Sequence, residues 1–211
     1  DKAKGITLKR NKEWWGNTVN PGANKFEEIY FRFVKDENTR LEMLKKGQID
    51  YDTITPEAFV KKAVGEPWGK TVMTTKTENL APKAYGYVAW NLLNPMFQDK
   101  NVRVALAMLM NRDLMNEKFR YGLSIPATGP WYQQNPYANK DTKAIPFDPK
   151  KAGELLAKAG WKDEDKNGTL EKMIDGKKVE FNFSLLLGNR DNEKYMTMYK
   201  EDLKKAGINM E

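Results

Sequence analysis

The chain has 211 residues, 40% hydrophobic and 31% charged, which is enough for one large domain or two small ones and too apolar for a disordered polymer. It contains no cysteine and no histidine, so disulfides, thiolate nucleophiles, Ser-His-Asp or Cys-His catalysis and His-bound zinc are excluded within it. The net charge of +7 raises nucleic acid or another anionic polymer as a partner, yet most Lys and Arg are interspersed with Asp and Glu, and only Lys2, Lys4, Lys9, Arg10 and Lys12 form a one-signed run.

In chain order, Gly5 to Asn11 reads as a short strand, and Trp14 to Lys25, with Gly16, Asn17, Pro21 and Gly22, as a loop. Ile29, Phe31 and Phe33 alternate with Tyr30, Arg32 and Val34, the period of a strand. Asp36 then caps a helix with Leu41 and Leu44 on one face, Gly47 supplies a left-handed exit, and a second short strand is expected through Ile49 to Asp52. Such a unit predicts two parallel strands with a crossover helix. Thr55 and Pro56 predict another helix start, with Phe59, Val60, Ala63 and Val64 as its apolar stripe.

Lys70 to Thr77 and Ala84 to Leu92 read as strands, the second with Tyr85, Tyr87, Ala89 and Asn91 on one face and Val88, Trp90 and Leu92 on the other. Val102, Ala105, Leu106 and Leu109 mark a core-facing helix, followed by a shorter one over Leu114 to Phe119 capped by Asn111. From Gly122 to Pro146, Pro126, Gly129, Pro130, Pro136 and Pro146 predict a long irregular excursion, a kind of segment that often carries function. Asp148 and Pro149 open the next helix and Gly160 stops it; a polar hairpin-like loop follows over Asp163 to Gly176. Val179 to Leu187 reads as a buried strand, Glu193 to Ala206 as a helix with Tyr195, Tyr199, Leu203 and Ala206 inward, and Ile208 to Glu211 as the start of a further strand. Alternating strands and helices place the chain in the α/β class.

Three blocks of residues carry a resemblance. The first is Phe26, Ile29, Phe31, Val34, Asp36, Thr39, Arg40, Leu44, Gly47, Ile49 and Asp50. The second runs from Tyr87-Val-Ala-Trp-Asn91 through Asn94-Pro-Met-Phe-Gln-Asp99 to Val102-Arg-Val-Ala-Leu106 and Met110-Asn-Arg112. The third is Phe147-Asp-Pro-Lys-Lys-Ala152 with Leu155, Leu156, Ala159, Gly160 and Trp161. In this order they resemble the central segment of the extracellular (periplasmic) solute-binding proteins of the oligopeptide-binding type, the receptors of ABC importers. The resemblance implies a type II periplasmic-binding-protein lobe with a mixed sheet flanked by helices, residues 1–211 being a single lobe of a longer two-lobe protein whose signal peptide lies outside it. It also implies a non-enzymatic monomer on the periplasmic or extracellular face of the cell envelope, capturing peptides or peptide-like solutes for a transporter permease without any cofactor. Nucleic-acid or anionic-polymer binding through the basic amino-terminal stretch is the alternative.

Four residues are the candidate ligand contacts. Trp90 and Asn91 lie at the expected carboxyl end of a strand, where α/β sheets open onto their ligands, and Asn can both donate to and accept from a peptide backbone. Against this, Trp90 can fill core and Asn91 can cap the following turn. Trp131 and Tyr132 lie in the Pro-rich excursion, where aromatic faces either wall a cleft or pack the loop on its own domain. Trp14-Trp15 is a weaker candidate, and Arg103 and Arg112 are expected to pair with Asp99 or Asp113. Asp163-x-Asp165-x-Asn167-Gly168 copies half of a calcium loop, but the closing twelfth position is Ile174, so a solvated turn is expected and no metal is assigned.

Overall fold

The computed structural model describes residues 4–77 and 85–211, and the chain divides into two compact units, Asp1–Thr75 and Lys76–Glu211. In the first unit β1 (Gly5–Lys9) pairs antiparallel with β2 (Glu28–Arg32), joined by turns and a one-turn α1 (Gly16–Val19). Trp14 lies over Gly16 so closely that a Cβ there would come within 2.4 Å of its ring. The expected parallel partner of β2 at Ile49 to Asp52 is absent among the described residues; β2 takes β1 instead.

Helix α2 (Glu37–Lys45) begins where Asp36 accepts from both the backbone N–H and the hydroxyl of Thr39, at 2.8 and 2.7 Å. Those bonds, the Thr39 hydroxyl first, hold the Asp36 carboxyl below its ordinary value of 3.8. A depressed carboxyl contributes stability above its unfolded pKa and loses it as pH falls through the folded one. Asp36→Asn keeps the capping oxygen but cannot titrate. Its unfolding free energy, followed by circular dichroism from pH 7 down through the acid range below 3.8, should therefore fall less steeply than that of the unmodified chain. Identical acid limbs would contradict the assignment.

Arg40 ties the end of this helix's entry to the chain that leaves it. Its Nε donates to Asp52 Oδ2 at 2.8 Å and its Nη1 to the carbonyls of Val34 and Lys35. The small core of this unit is Leu41, Ala58, Ala63 and Trp68. Thr55 caps the following turn as expected, but Ala58–Lys62 is a π-helix, in which positions five apart align. Ala58 and Ala63 therefore face inward, while Val60 and Val64 of the expected stripe stay exposed. The expected strand over Lys70 to Thr77 is reduced to one bridge between Trp68 and Val72.

The second unit is built on helices. α3 (Lys100–Met108), capped by Asp99, buries Val102, Ala105, Leu106 and Leu109 completely, as their spacing predicts. It packs against α5 (Pro149–Lys158), capped by Asp148 with Pro149 in its first turn. Between them in sequence lies α4 (Arg112–Arg120), capped by Asn111. α6 (Glu193–Lys205) closes the core with Tyr199 and Leu203, and the Tyr199 hydroxyl donates to the Leu106 carbonyl at 2.9 Å. Burial pushes that phenol's pKa upward, so it stays a donor across the working range.

Three helices end on one device. After α2, α5 and α6 the glycines Gly47, Gly160 and Gly207 take positive φ values. In each case the glycine N–H bonds the carbonyl three residues back, and the following N–H bonds the one five back: Gln48 to Met43, Trp161 to Leu156, Ile208 to Leu203.

The strands of this unit are short. β3 (Glu171–Ile174) and β4 (Lys177–Glu180) form an antiparallel hairpin, and β5 (Asn182–Phe183) runs parallel to β6 (Asn209–Met210). The buried strand expected over Val179 to Leu187 is thus broken; Phe181 is fully buried but Leu186 is 95% exposed. No strand forms among the described residues 85–92, although Val88 and Trp90 still turn inward while Tyr85, Tyr87, Ala89 and Asn91 face out; Ala84 lies outside the described residues. The chain is α/β with both parallel and antiparallel pairings, which among the described residues form three two-stranded pieces rather than one sheet.

Candidate functional site

The Pro-rich excursion between α4 and α5 is held in place by polar contacts rather than by period. Asn116 and Ser124 exchange two hydrogen bonds, Nδ2 to the carbonyl at 2.9 Å and backbone N–H to Oδ1 at 3.2 Å, and Arg120 Nε donates to the Ser124 hydroxyl at 2.8 Å. Gln133 reaches back to the Pro126 carbonyl, and Lys140 Nζ donates to the carbonyls of Gln133 and Asn135. At its far end Arg112 donates to the Ile145 carbonyl, and the Asp148 N–H bonds the Met108 carbonyl at 3.0 Å. The two arginines expected to pair with Asp99 or Asp113 thus bind carbonyls instead, Arg103 those of Phe97 and Gln98.

This tethering leaves two abutting concavities. One, of about 410 Å³, is walled by Trp131, Tyr132, Tyr85, Arg120, Gln133 and Gln134 among others. The second, of about 280 Å³, is walled by Tyr85, Tyr87, Val88, Trp90, Met110 and Tyr199. Tyr85, Ala127 and Gly129 line both. Taken together the two surfaces are aromatic with amide and cationic edges, a lining that can stack on apolar groups and hydrogen-bond a polar main chain.

The four sequence candidates separate in space. Trp131 is half exposed, its ring centroid 5.9 Å from that of Tyr137, and it lines the larger concavity with the half-buried Tyr132. Trp90 lines the smaller one by an edge, because its ring packs on Phe97 at 4.8 Å and edge-on to Phe183 at 5.6 Å. Asn91 lines neither; its Oδ1 accepts from the Leu93 N–H at 3.0 Å and closes a turn. Trp14 and Trp15 lie in the other unit, their rings 5.6 Å apart.

Sequence reasoning missed Tyr85 and Tyr87 as wall residues, although both fall on the outward face of the alternation it recognised; their rings lie 5.7 Å apart. The basic amino-terminal run is not one-signed in space, since Arg10 and Lys12 both approach Glu27, at 3.4 and 3.7 Å; Lys2 lies outside the described residues.

Comparison with known proteins bears on all of this. The family described as bacterial extracellular solute-binding proteins, family 5 Middle, matches residues 1–211. The oligopeptide-binding protein AppA of Bacillus subtilis (strain 168) is 30% identical over 192 residues, covering 89% of this chain and 33% of AppA. The structure of B. subtilis AppA in complex with a nonapeptide superposes over 100% of this chain and 40% of that one, with 27% identity and a TM-score of 0.66. NikA from Brucella suis, in complex with Fe(III)-EDTA, superposes over 99% of this chain and 40% of its own, with 26% identity and a TM-score of 0.72. The chain therefore spans about a third of the length of the curated relative it matches.

Proposed function

The chain belongs to the family 5 bacterial extracellular solute-binding proteins, and from that membership we propose that its second unit forms one wall of a cleft that captures peptides or peptide-like solutes for an ABC importer. The observation that carries this reading is the aromatic concavity around Trp131, Tyr132 and Tyr85, edged by Arg120, Gln133 and Gln134. Aromatic faces hold side chains of many shapes, and amides pair with the main chain that all peptides share. Trp131 and Tyr132 are the direct contacts in this proposal. Trp90 supports the wall from behind, and Asn91 shapes the turn that follows it.

The rest of the enclosing surface comes from elsewhere in the protein. A second lobe closes over the solute, and the closed form is what the transporter permease meets on the periplasmic or extracellular side of the membrane. Binding, not covalent chemistry, is the output, and the protein works as a monomer. The 211-residue chain alone should hold such a solute far more weakly than the whole protein, because the preorganised cleft is incomplete.

Mass spectrometry of solutes released from the whole natural protein, followed by calorimetry with the peptides identified, tests the proposal. Co-purified peptides that rebind support it. A metal chelate or oligosaccharide in place of peptide overturns the solute class, and tight peptide binding by the isolated chain overturns the two-wall arrangement.

A further inference from the structure

The half calcium loop lacks a closing acid in sequence, since its twelfth position is Ile174, but the fold brings one from another position. The loop itself is formed. Asp163 Oδ2 accepts from the Gly168 N–H at 3.0 Å, Asp165 Oδ1 from the Asn167 N–H at 3.2 Å, and Gly168 takes φ +87°. Beside it stands Glu171, the first residue of β3 and the one buried acidic residue among the described residues, 5% exposed. Glu171 Oε1 accepts from the N–H groups of Glu164 and Asp165, at 3.0 and 3.3 Å. Its Oε2 is fully buried and has no hydrogen-bond partner. A buried carboxylate oxygen left without a donor is costly, and a cation coordinated by this carboxylate would offset that cost.

Carboxylate oxygens of Asp163, Asp165 and Glu171 lie within 4.8 Å of one another. Calcium binds oxygens at about 2.3–2.6 Å, so two of its ligands can stand up to about 5 Å apart. The one cation in ion-pair contact with the three, among the described residues, is Lys178, whose Nζ is 2.5 Å from Asp165 Oδ2 and 3.5 Å from Glu171 Oε1. One ammonium against three carboxylates leaves two negative charges, the charge of a divalent ion. Lys178 is half exposed and can swing into solvent.

We propose that Asp163, Asp165 and Glu171 form a calcium site, with Glu171 supplying from the ninth position the acid that the twelfth lacks. Three carboxylates, two from the loop and one from β3, suit calcium better than magnesium, which is usually held by one or two and keeps its waters. Lys178 lies at the site's edge, in contact with Asp165 and Glu171, and competes with the ion.

Calorimetry of calcium and magnesium chloride into the chain, with thermal unfolding in EDTA and in about 5 mM calcium, tests this. Calcium is expected to bind in roughly the 10⁻⁴ to 10⁻³ M range of extracellular modules and to raise the unfolding temperature more than magnesium does. Glu171→Gln and Asp163→Asn should each weaken it by about tenfold or more. Lys178→Met should tighten it several-fold, as removal of a like charge beside the ion requires. Should Glu171→Gln fail to fold, Asp163→Asn, which is exposed, decides. No heat and no shift at that concentration overturns the proposal, as does undiminished binding by Asp163→Asn or weaker binding by Lys178→Met.

Discussion

Trp161→Ala is expected to destabilise the second unit by about 3–5 kcal/mol, the usual range for deleting a buried large aromatic. Trp161 is 2% exposed, and its ring stacks on Phe181 with centroids 4.3 Å apart and planes 30° apart. The same residue's N–H bonds the Leu156 carbonyl across the glycine stop of α5, at 2.9 Å. Truncation opens a cavity in the close-packed cluster that also holds Leu156, Tyr199 and Leu203, which can close on it only by moving α5 or α6. Urea unfolding should show a lowered midpoint with an unchanged slope, while Trp161→Phe, which keeps a ring on Phe181, should cost markedly less. A loss below about 1 kcal/mol for the alanine variant would mean that the core is organised elsewhere.

The helices were legible because their instructions are local. Asp36, Asn111 and Asp148 each accept a backbone N–H two or three residues into the helix they precede, and Gly47, Gly160 and Gly207 each take the conformation that only glycine adopts freely. Val102, Ala105, Leu106 and Leu109 reach full burial from spacing alone. The strands were less legible because a strand is completed by a partner that its own residues do not name. Residues 87–91 keep the inward and outward alternation of a strand but pair with none among the described residues, so Tyr85 and Tyr87 become wall rather than sheet face. The stripe after Thr55 failed because it assumed 3.6 residues per turn where the backbone widens to a π-helix. Glu171 escapes a loop motif that counts positions in sequence, because its carboxylate reaches the Asp163 loop through the antiparallel bridge between Glu171 and Lys162.

The second large effect separates the two tryptophans offered as ligand contacts, of which the sequence favours Trp90. Trp131→Ala should weaken peptide binding by the whole protein about 10- to 30-fold, as loss of a central aromatic anchor does, and leave the unfolding midpoint nearly unchanged. Its ring is 51% exposed and its neighbour Tyr137 lies on the same excursion, so little core packing is lost. Trp90→Ala should do the reverse. Its ring is part of an aromatic trio with Phe97 and Phe183, whose own centroids are 5.5 Å apart edge-on, and removing it unpacks that trio before it touches any solute. Calorimetry and thermal unfolding on both variants read the difference directly. A stability loss in both, with affinity lost only in proportion to the fraction unfolded, would make Trp131 a packing residue. An affinity loss in Trp90→Ala at unchanged stability would move the binding surface to the smaller concavity, where Tyr87 and Val88 would then be its next contacts. Because Tyr85 lines both concavities, Tyr85→Ala reports on the shared wall in either case, and its affinity should fall wherever the solute sits.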